Sequence, residues 1–132
     1  DWNADGNLDL AVVVAGEESI EVYRGDGLGN FKMLSRHETG VNPHGLTSGD
    51  FNQDGNLDLA VSNRTSGGIT IFLGKGNGNF ENTSSIYTGN DGIAIANGDF
   101  DGDGAIDLAM VSASSHSLLF YRGDGKGGFN PW

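Results

Sequence analysis

Aspartates recur in this chain at fixed spacing within three short windows, of which the clearest reads Asp50-x-Asn52-x-Asp54-Gly55-x-x-Asp58. Oxygen-bearing side chains at positions 1, 3, 5 and 9 of such a loop can converge on one centre. The glycine at position 6 permits a sharp bend, and the carbonyl at position 7 can add another oxygen. Hard oxygen donors favour Ca²⁺ over transition metals, and a cage of so many protein oxygens disfavours Mg²⁺. The pattern therefore predicts one calcium site per window.

Charge repulsion supports this interpretation. Carboxylates about 4 Å apart repel by roughly 1–4 kcal/mol per pair, depending on the local dielectric. The alternative is a metal-free turn in which Asp, Asn and Gly only cap a hairpin, but a turn needs one or two such residues rather than four in phase. The third window holds four carboxylates and is expected to bind most tightly. The first begins at Asp1, whose terminal ammonium would oppose a cation.

The windows differ from an EF-hand. That loop carries a bidentate Glu at position 12 and lies between two helices. Here the last aspartate follows at position 9, inside an expected strand, and no helical period flanks it.

The three windows belong to a repeat of 49 residues. Residues 50–60 match residues 1–11 and 99–109, and the register continues to Phe31, Phe80 and Phe129 without an insertion. We therefore divide the single segment 1–132 into repeats 1–49, 50–98 and 99–132, the last of them truncated.

Each copy carries signals for four short strands. In the second copy these are 57–61, 69–73, a weaker strand around 83–87 and another around 93–100, before the next acidic loop. Glycines at alternate positions, such as Gly74, Gly76 and Gly78, close a hairpin by supplying positive φ angles. Four-stranded units at this spacing predict an all-β fold, a β-propeller of about three four-stranded blades.

Composition limits the function further. The formal charge is −11, from 18 acidic and 7 basic residues, so no basic surface is available for nucleic acid. Ten of the 18 acids fall inside the three windows, whereas solvation alone would scatter them. The chain has no cysteine, no apolar run long enough for membrane insertion and no signal peptide at its first residue. Any targeting segment is expected to lie outside this sequence.

The stretch Gly49–Val61 closely resembles the FG-GAP/VCBS repeat, the blade of integrin α-subunit-type propellers, and so does the Gly-x-Gly-x-Gly-x-Phe closure. The resemblance implies that each loop joins the innermost strand of a blade to the next strand and holds one Ca²⁺. The ligands it implies are Asp1, Asn3, Asp5, Asn7 (carbonyl) and Asp9; Asp50, Asn52, Asp54, Asn56 (carbonyl) and Asp58; and Asp99, Asp101, Asp103, Ala105 (carbonyl) and Asp107. Three Ca²⁺ would change the formal charge from −11 to −5.

The resemblance also implies a setting and a role. Members of the family are mostly extracellular and include adhesion receptors, lectins and modules of polysaccharide-active enzymes. We therefore expect a secreted or cell-surface module with structural calcium and no catalysis, which binds a protein or glycan ligand. Two alternatives remain, a lectin with sugar sites between blades and the propeller portion of a polysaccharide-active enzyme.

The number of copies leaves the ring incomplete. Three full copies would need 147 residues, so the first blade is expected to lack most of its inner strand and the last blade most of its outer strand. Such a segment cannot close alone and would leave open sheet edges. The expected partners are further blades of a longer chain or other copies of this one.

Other residues carry weaker signals. The histidines do not repeat, which argues against a catalytic triad or a zinc site. Arg24-Gly25-Asp26 spells an integrin-recognition tripeptide but lies where the hairpin begins, so a structural role is expected. Trp2 aligns with core aromatics, whereas Trp132 has no aromatic counterpart and is a candidate for stacking on a sugar.

Overall fold

Eleven strands, grouped into three antiparallel sheets, make up the part of the chain that the computed structural model describes, residues 1–89 and 91–132. The strands are β1 Leu10–Val14, β2 Ser19–Gly25, β3 Phe31–Glu38, β4 Pro43–Gly49, β5 Asp58–Asn63, β6 Gly68–Gly74, β7 Phe80–Tyr87, β8 Gly92–Gly98, β9 Asp107–Ser112, β10 Ser117–Gly123 and β11 Phe129–Pro131. One 3₁₀ turn, Ala15–Glu17, joins β1 to β2. The all-β prediction is confirmed, with three or four strands in each sheet.

The strands of each sheet follow chain order. The first sheet is β1-β2-β3, the second β4-β5-β6-β7 and the third β8-β9-β10-β11. Each complete sheet therefore takes its first strand from the end of one 49-residue copy and its other strands from the next. The predicted strand at 83–87 begins earlier, at Phe80, and the one predicted to reach residue 100 ends at Gly98, where the chain enters the acidic loop.

The middle sheet is buried on both faces because it lies between the other two. In β6 the alternating residues Ile69, Ile71 and Leu73 pack towards the third sheet, while Phe72 packs towards the first. Such β-branched and aromatic residues suit a strand with two covered faces. The outer strand β7 is mostly exposed and carries polar residues.

Two apolar clusters hold the sheets face to face. We call them the first junction, between the first and second sheets, and the second junction, between the second and third. The first junction contains Ile20, Val22, Leu59, Val61, Phe72 and Phe80, with Trp2 at its border. The second contains Phe51, Ala60, Ile69, Ile71, Leu108, Met110 and Tyr121, with Phe129 at its border.

The inner strands of neighbouring sheets also approach closely. A Cβ on Gly45 of β4 would lie 3.0 Å from the Cα atom of Ala94 in β8, so this position has little room for a side chain. The Thr47 hydroxyl donates a hydrogen bond to Oδ1 of Asn97 across the same gap.

The glycine ladder of each hairpin differs from the prediction at one position. Gly76 and Gly78 have positive φ angles, as expected for turn glycines. Gly74 does not have a positive φ, and a Cβ there would overlap the carbonyl oxygen of Leu57. The first glycine of the ladder is therefore required by the close approach of the acidic loop and not by turn geometry.

Candidate metal centre

The acidic loops lie at one end of the sheets. Residues 50–57 connect β4 to β5, residues 99–106 connect β8 to β9, and residues 1–9 precede β1. Gly6, Gly55 and Gly104, at position 6, have φ angles of +86°, +87° and +90°, which glycine adopts without strain. Position 4 is also left-handed, although Gln53 occupies it in the second loop and the sequence offered no sign of this.

Each loop curls around the aspartate at position 1. The Oδ1 atom of Asp50 accepts a hydrogen bond from the Asp54 N–H (3.1 Å), and its Oδ2 atom accepts one from the Gly55 N–H (2.9 Å). At position 5, Oδ1 of Asp54 accepts the Asn56 N–H (2.8 Å), and this bond holds the pKa of Asp54 below its usual value. The loop backbone is thus organised by its own carboxylates.

The aspartate at position 9 clamps the loop to the hairpin. Asp58 is fully buried, and its two carboxylate oxygens accept hydrogen bonds from the N–H groups of Phe51 (2.7 Å) and Gly74 (2.8 Å). Burial raises the pKa of Asp58, and the neighbouring charges of Asp54 and Asp50 raise it further.

The same clamp occurs in the other two copies. Asp9 accepts hydrogen bonds from the N–H groups of Trp2 (2.7 Å) and Gly25 (2.9 Å), and Asp107 accepts those of Phe100 and Gly123 (both 2.9 Å). The sequence assigned these aspartates only as ligands. The recurrence of Asp and Gly 16 residues apart in every copy is the one sequence signal from which the clamp could have been predicted.

The third loop brings three carboxylates together. Asp99, Asp101 and Asp107 each place an oxygen within 4.8 Å of the others, and among residues 1–89 and 91–132 they form the one such group of His, Cys, Asp or Glu. Asp103, also a predicted ligand, lies outside this group, and its Oδ1 atom accepts the Ala105 N–H (2.8 Å). We call Asp99, Asp101 and Asp107 the acidic trio.

The first and second loops have an amide where the third has Asp101. Oδ1 of Asn3 accepts the Asp5 N–H (2.9 Å), and Oδ1 of Asn52 accepts the Asp54 N–H (3.1 Å). The equivalent positions of these loops therefore offer two carboxylates and one amide oxygen.

The donors of the trio fit a calcium ion. They are all oxygens, and a carboxylate oxygen that accepts one N–H retains a second lone pair for a cation. A basic group also reaches the site, since Nη2 of Arg122 lies 2.6 Å from Oδ2 of Asp101. This ion pair offsets part of the negative charge that distinguishes the third loop.

The residues at position 7 pack against the hairpin. Their N–H groups donate to the carboxylate at position 5, at 2.9 Å from Asn7 to Asp5 and at 2.8 Å from Asn56 to Asp54. Oδ1 of Asn56 lies where a Cβ on Gly76 would be, and the φ of Gly76, +68°, favours glycine at this position.

The integrin-like tripeptide is engaged within the hairpin. The N–H of Gly25 donates to Asp9, and Oδ1 of Asp26 accepts the N–H groups of Leu28 (2.8 Å) and Asn30 (3.1 Å). These contacts support the structural interpretation of Arg24-Gly25-Asp26.

The remaining candidates lie apart from the trio. His37 packs against Phe72 and Phe80, with ring centroids 5.8 and 5.9 Å away, and burial lowers its pKa. Trp132 packs edge-on against Phe120, and the Arg122 guanidinium lies 5.0 Å from its ring centroid. The use of Trp132 for sugar stacking stays a prediction.

Comparison with known proteins identifies the repeat. A family model for the FG-GAP-like repeat matches residues 1–61 and again residues 50–110. No curated protein and no solved structure matches significantly. The described residues include no helix long and apolar enough to cross a membrane. Because the two matches together extend over residues 1–110, the chain belongs to the FG-GAP-like repeat family.

Proposed function

We propose that this chain is a non-catalytic, calcium-binding module of β-propeller architecture, in which calcium has a structural role. The observation that carries the proposal is the acidic trio, whose three carboxylates lie within 4.8 Å of one another. Like charges held so close are costly without a cation between them. The same loop occurs three times in register, so we expect about three ions per chain.

Each loop would hold its ion with the side chains at positions 1, 3, 5 and 9 and the carbonyl at position 7. Bound calcium supplies positive charge and several coordination positions for oxygen. The chain supplies the positioning. The clamp formed by Asp9, Asp58 and Asp107 ties each loop to its hairpin, and the position-1 aspartates set the curl of the backbone.

Calorimetric titration of chelator-treated protein with CaCl₂ tests the proposal. We expect a stoichiometry of about three in the intact chain and the loss of one equivalent, or at least a tenfold weaker site, in Asp101→Ala. Asp124→Ala is the matched control because Asp124 is an acid of the same copy whose carboxylate caps the hairpin turn. Equal binding by both variants and the intact chain would assign the heat to other acidic groups.

Thermal unfolding measures whether the ion is structural. At a free concentration 100 times Kd, each ion that binds only the folded state contributes about 2.7 kcal/mol. EDTA is therefore expected to lower Tm substantially. An unchanged Tm in chelator would contradict a structural role for calcium.

The architecture and setting are part of the proposal. Two consecutive face-to-face junctions between antiparallel sheets support a propeller, since blades of a propeller are four-stranded sheets arranged around an axis. Repeats of this family occur in extracellular proteins, which supports an extracellular location. There the module would present its loops to a protein or glycan ligand.

A further inference from the structure

The two junctions use the same positions of the repeat. Each sheet has a trailing face, which packs on the next sheet, and a leading face, which packs on the previous one. At the first junction the trailing face is Trp2, Ile20 and Val22, and the leading face is Leu59, Val61 and Phe80. At the second the trailing face is Phe51, Ile69 and Ile71, and the leading face is Leu108, Met110 and Phe129. Every pair of equivalent residues is 49 positions apart.

Two specific contacts recur at both junctions. The first is an edge-to-face aromatic pair, with ring centroids 5.5 Å apart for Trp2 and Phe80 and also for Phe51 and Phe129. The second is a backbone hydrogen bond, donated by Gly78 to the Trp2 carbonyl (2.9 Å) and by Gly127 to the Phe51 carbonyl (3.0 Å). The junction is therefore a repeated interface with its own hydrogen bond.

The two halves of one more such junction lie at opposite ends of the molecule. The leading face of the first sheet is Leu10, Val12 and Phe31, and the trailing face of the third sheet is Phe100, Leu118 and Phe120; all six residues are exposed. Phe31 is 50% exposed and Phe100 46%, whereas Phe80 and Phe51 at the formed junctions are 6% and 1% exposed.

The two backbone groups that would form the hydrogen bond of this further junction are also unpaired. Within residues 1–89 and 91–132, the Gly29 N–H donates no hydrogen bond and the Phe100 carbonyl accepts none. Gly29 is equivalent to Gly78 and Gly127, and Phe100 to Trp2 and Phe51.

We propose that a second copy of this chain docks head to tail, with the leading face of one copy on the trailing face of the other. Phe31 of one copy then packs edge-on against Phe100 of the other, and its Gly29 N–H donates to the Phe100 carbonyl. Because the two faces differ, the contact is heterologous, and further copies can add in the same way to give a ring or a filament.

The formal charge of −11 opposes this association through repulsion between copies. Salt screens that repulsion and leaves the apolar contact intact. We therefore expect docking to strengthen as NaCl concentration rises, whereas an interface held by ion pairs would weaken.

Sedimentation velocity on the intact chain and two single variants tests the proposal. Phe31→Glu disables only the leading face and Phe100→Glu only the trailing face, so each variant alone is expected to stay monomeric. Their equimolar mixture retains one intact face of each kind and is expected to form heterodimers, with at least tenfold tighter association than either variant alone. Tyr87→Glu is the matched control because Tyr87 is an aromatic residue, 83% exposed, on the outer strand β7.

Five results would overturn the proposal. A wild-type chain that is monomeric at every salt and protein concentration would leave these faces to repeat units beyond residues 1–132. Oligomers that survive both substitutions, or that Tyr87→Glu also dissociates, would place the contact elsewhere. Loss of the oligomer in only one of the two variants would indicate a symmetric contact, and so would the absence of a heterodimer in their mixture. If Phe100→Glu lowers Tm through its contact with Phe120, Leu118→Glu replaces it, since Leu118 is more exposed on the same face.

Discussion

At the scale of single residues, the aspartate at position 9 has two opposing effects on the stability of its loop. Its carboxylate accepts two backbone N–H groups, which stabilises the folded loop, but burial of the charge raises its pKa. The aspartate at position 5 of the second loop, Asp54, is exposed and accepts one backbone N–H, from Asn56, and one from the side-chain amide of Asn52. We therefore expect Asp58 to stabilise the fold in the absence of any cation, and Asp54 to contribute little.

This difference predicts the effect of two alanine substitutions on the free energy of unfolding in EDTA. Asp58→Ala leaves the Phe51 and Gly74 N–H groups without an acceptor and is expected to cost roughly 2–4 kcal/mol. Asp54→Ala, the control, is expected to cost less than about 1 kcal/mol because its turn is solvated. Urea denaturation measures both. Equal losses would show that the clamp contributes nothing beyond the loop turn.

At the scale of elements, the hairpin and the acidic loop of each copy form one unit. The N–H of Gly74 donates to Asp58, and the absence of a side chain on Gly74 lets the Leu57 carbonyl approach. The equivalent glycines of the other copies meet the carbonyls of Leu8 and Ile106 in the same way. A change in the hairpin is therefore expected to alter the structure of the candidate metal loop.

Gly74→Ala tests this coupling. The new Cβ overlaps a backbone oxygen, so we expect a loss of about 2–3 kcal/mol in unfolding free energy and weaker calcium binding at the second loop. Gly16→Ala is the control, because a Cβ at Gly16 meets no atom within 4 Å and its φ is not positive. Denaturation and calcium titration of the two variants make the comparison; a Gly74 variant as stable as the Gly16 variant would contradict the close approach.

At the scale of the whole molecule, stability comes from junctions between sheets. The middle sheet has both faces covered, whereas the outer two each have one face exposed. We therefore expect equivalent residues to contribute unequally to stability, although their sequence context is nearly the same.

Alanine substitutions at Phe51 and Phe100 test this expected difference in contribution to stability. Phe51→Ala empties a buried position of the second junction and is expected to cost about 3–5 kcal/mol. Phe100→Ala removes the equivalent but half-exposed ring and is expected to cost less than about 1.5 kcal/mol when measured on dilute, monomeric protein. Unfolding experiments on both variants measure the two losses in unfolding free energy. Similar costs would mean that the trailing face of the third sheet is covered within the monomer.

The sequence by itself determined the 49-residue repeat, the all-β class and the positions of the acidic residues in each loop. These features depend on spacing along the chain. Alternation of apolar residues, glycine at position 6 and aspartate at fixed intervals act within a few residues of one another, so their consequences can be predicted locally.

Only the tertiary structure decided what each of those residues contacts. The clamp joins residues 7 and 16 positions apart, Asp103 lies outside the acidic trio, and Arg122 reaches Asp101 from strand β10. Likewise, nothing in the pattern separates Phe51 from Phe100, since both occupy position 2 of the same motif. Which one is buried depends on whether another sheet packs on its face, and that is a property of the assembled sheets, not of the local sequence.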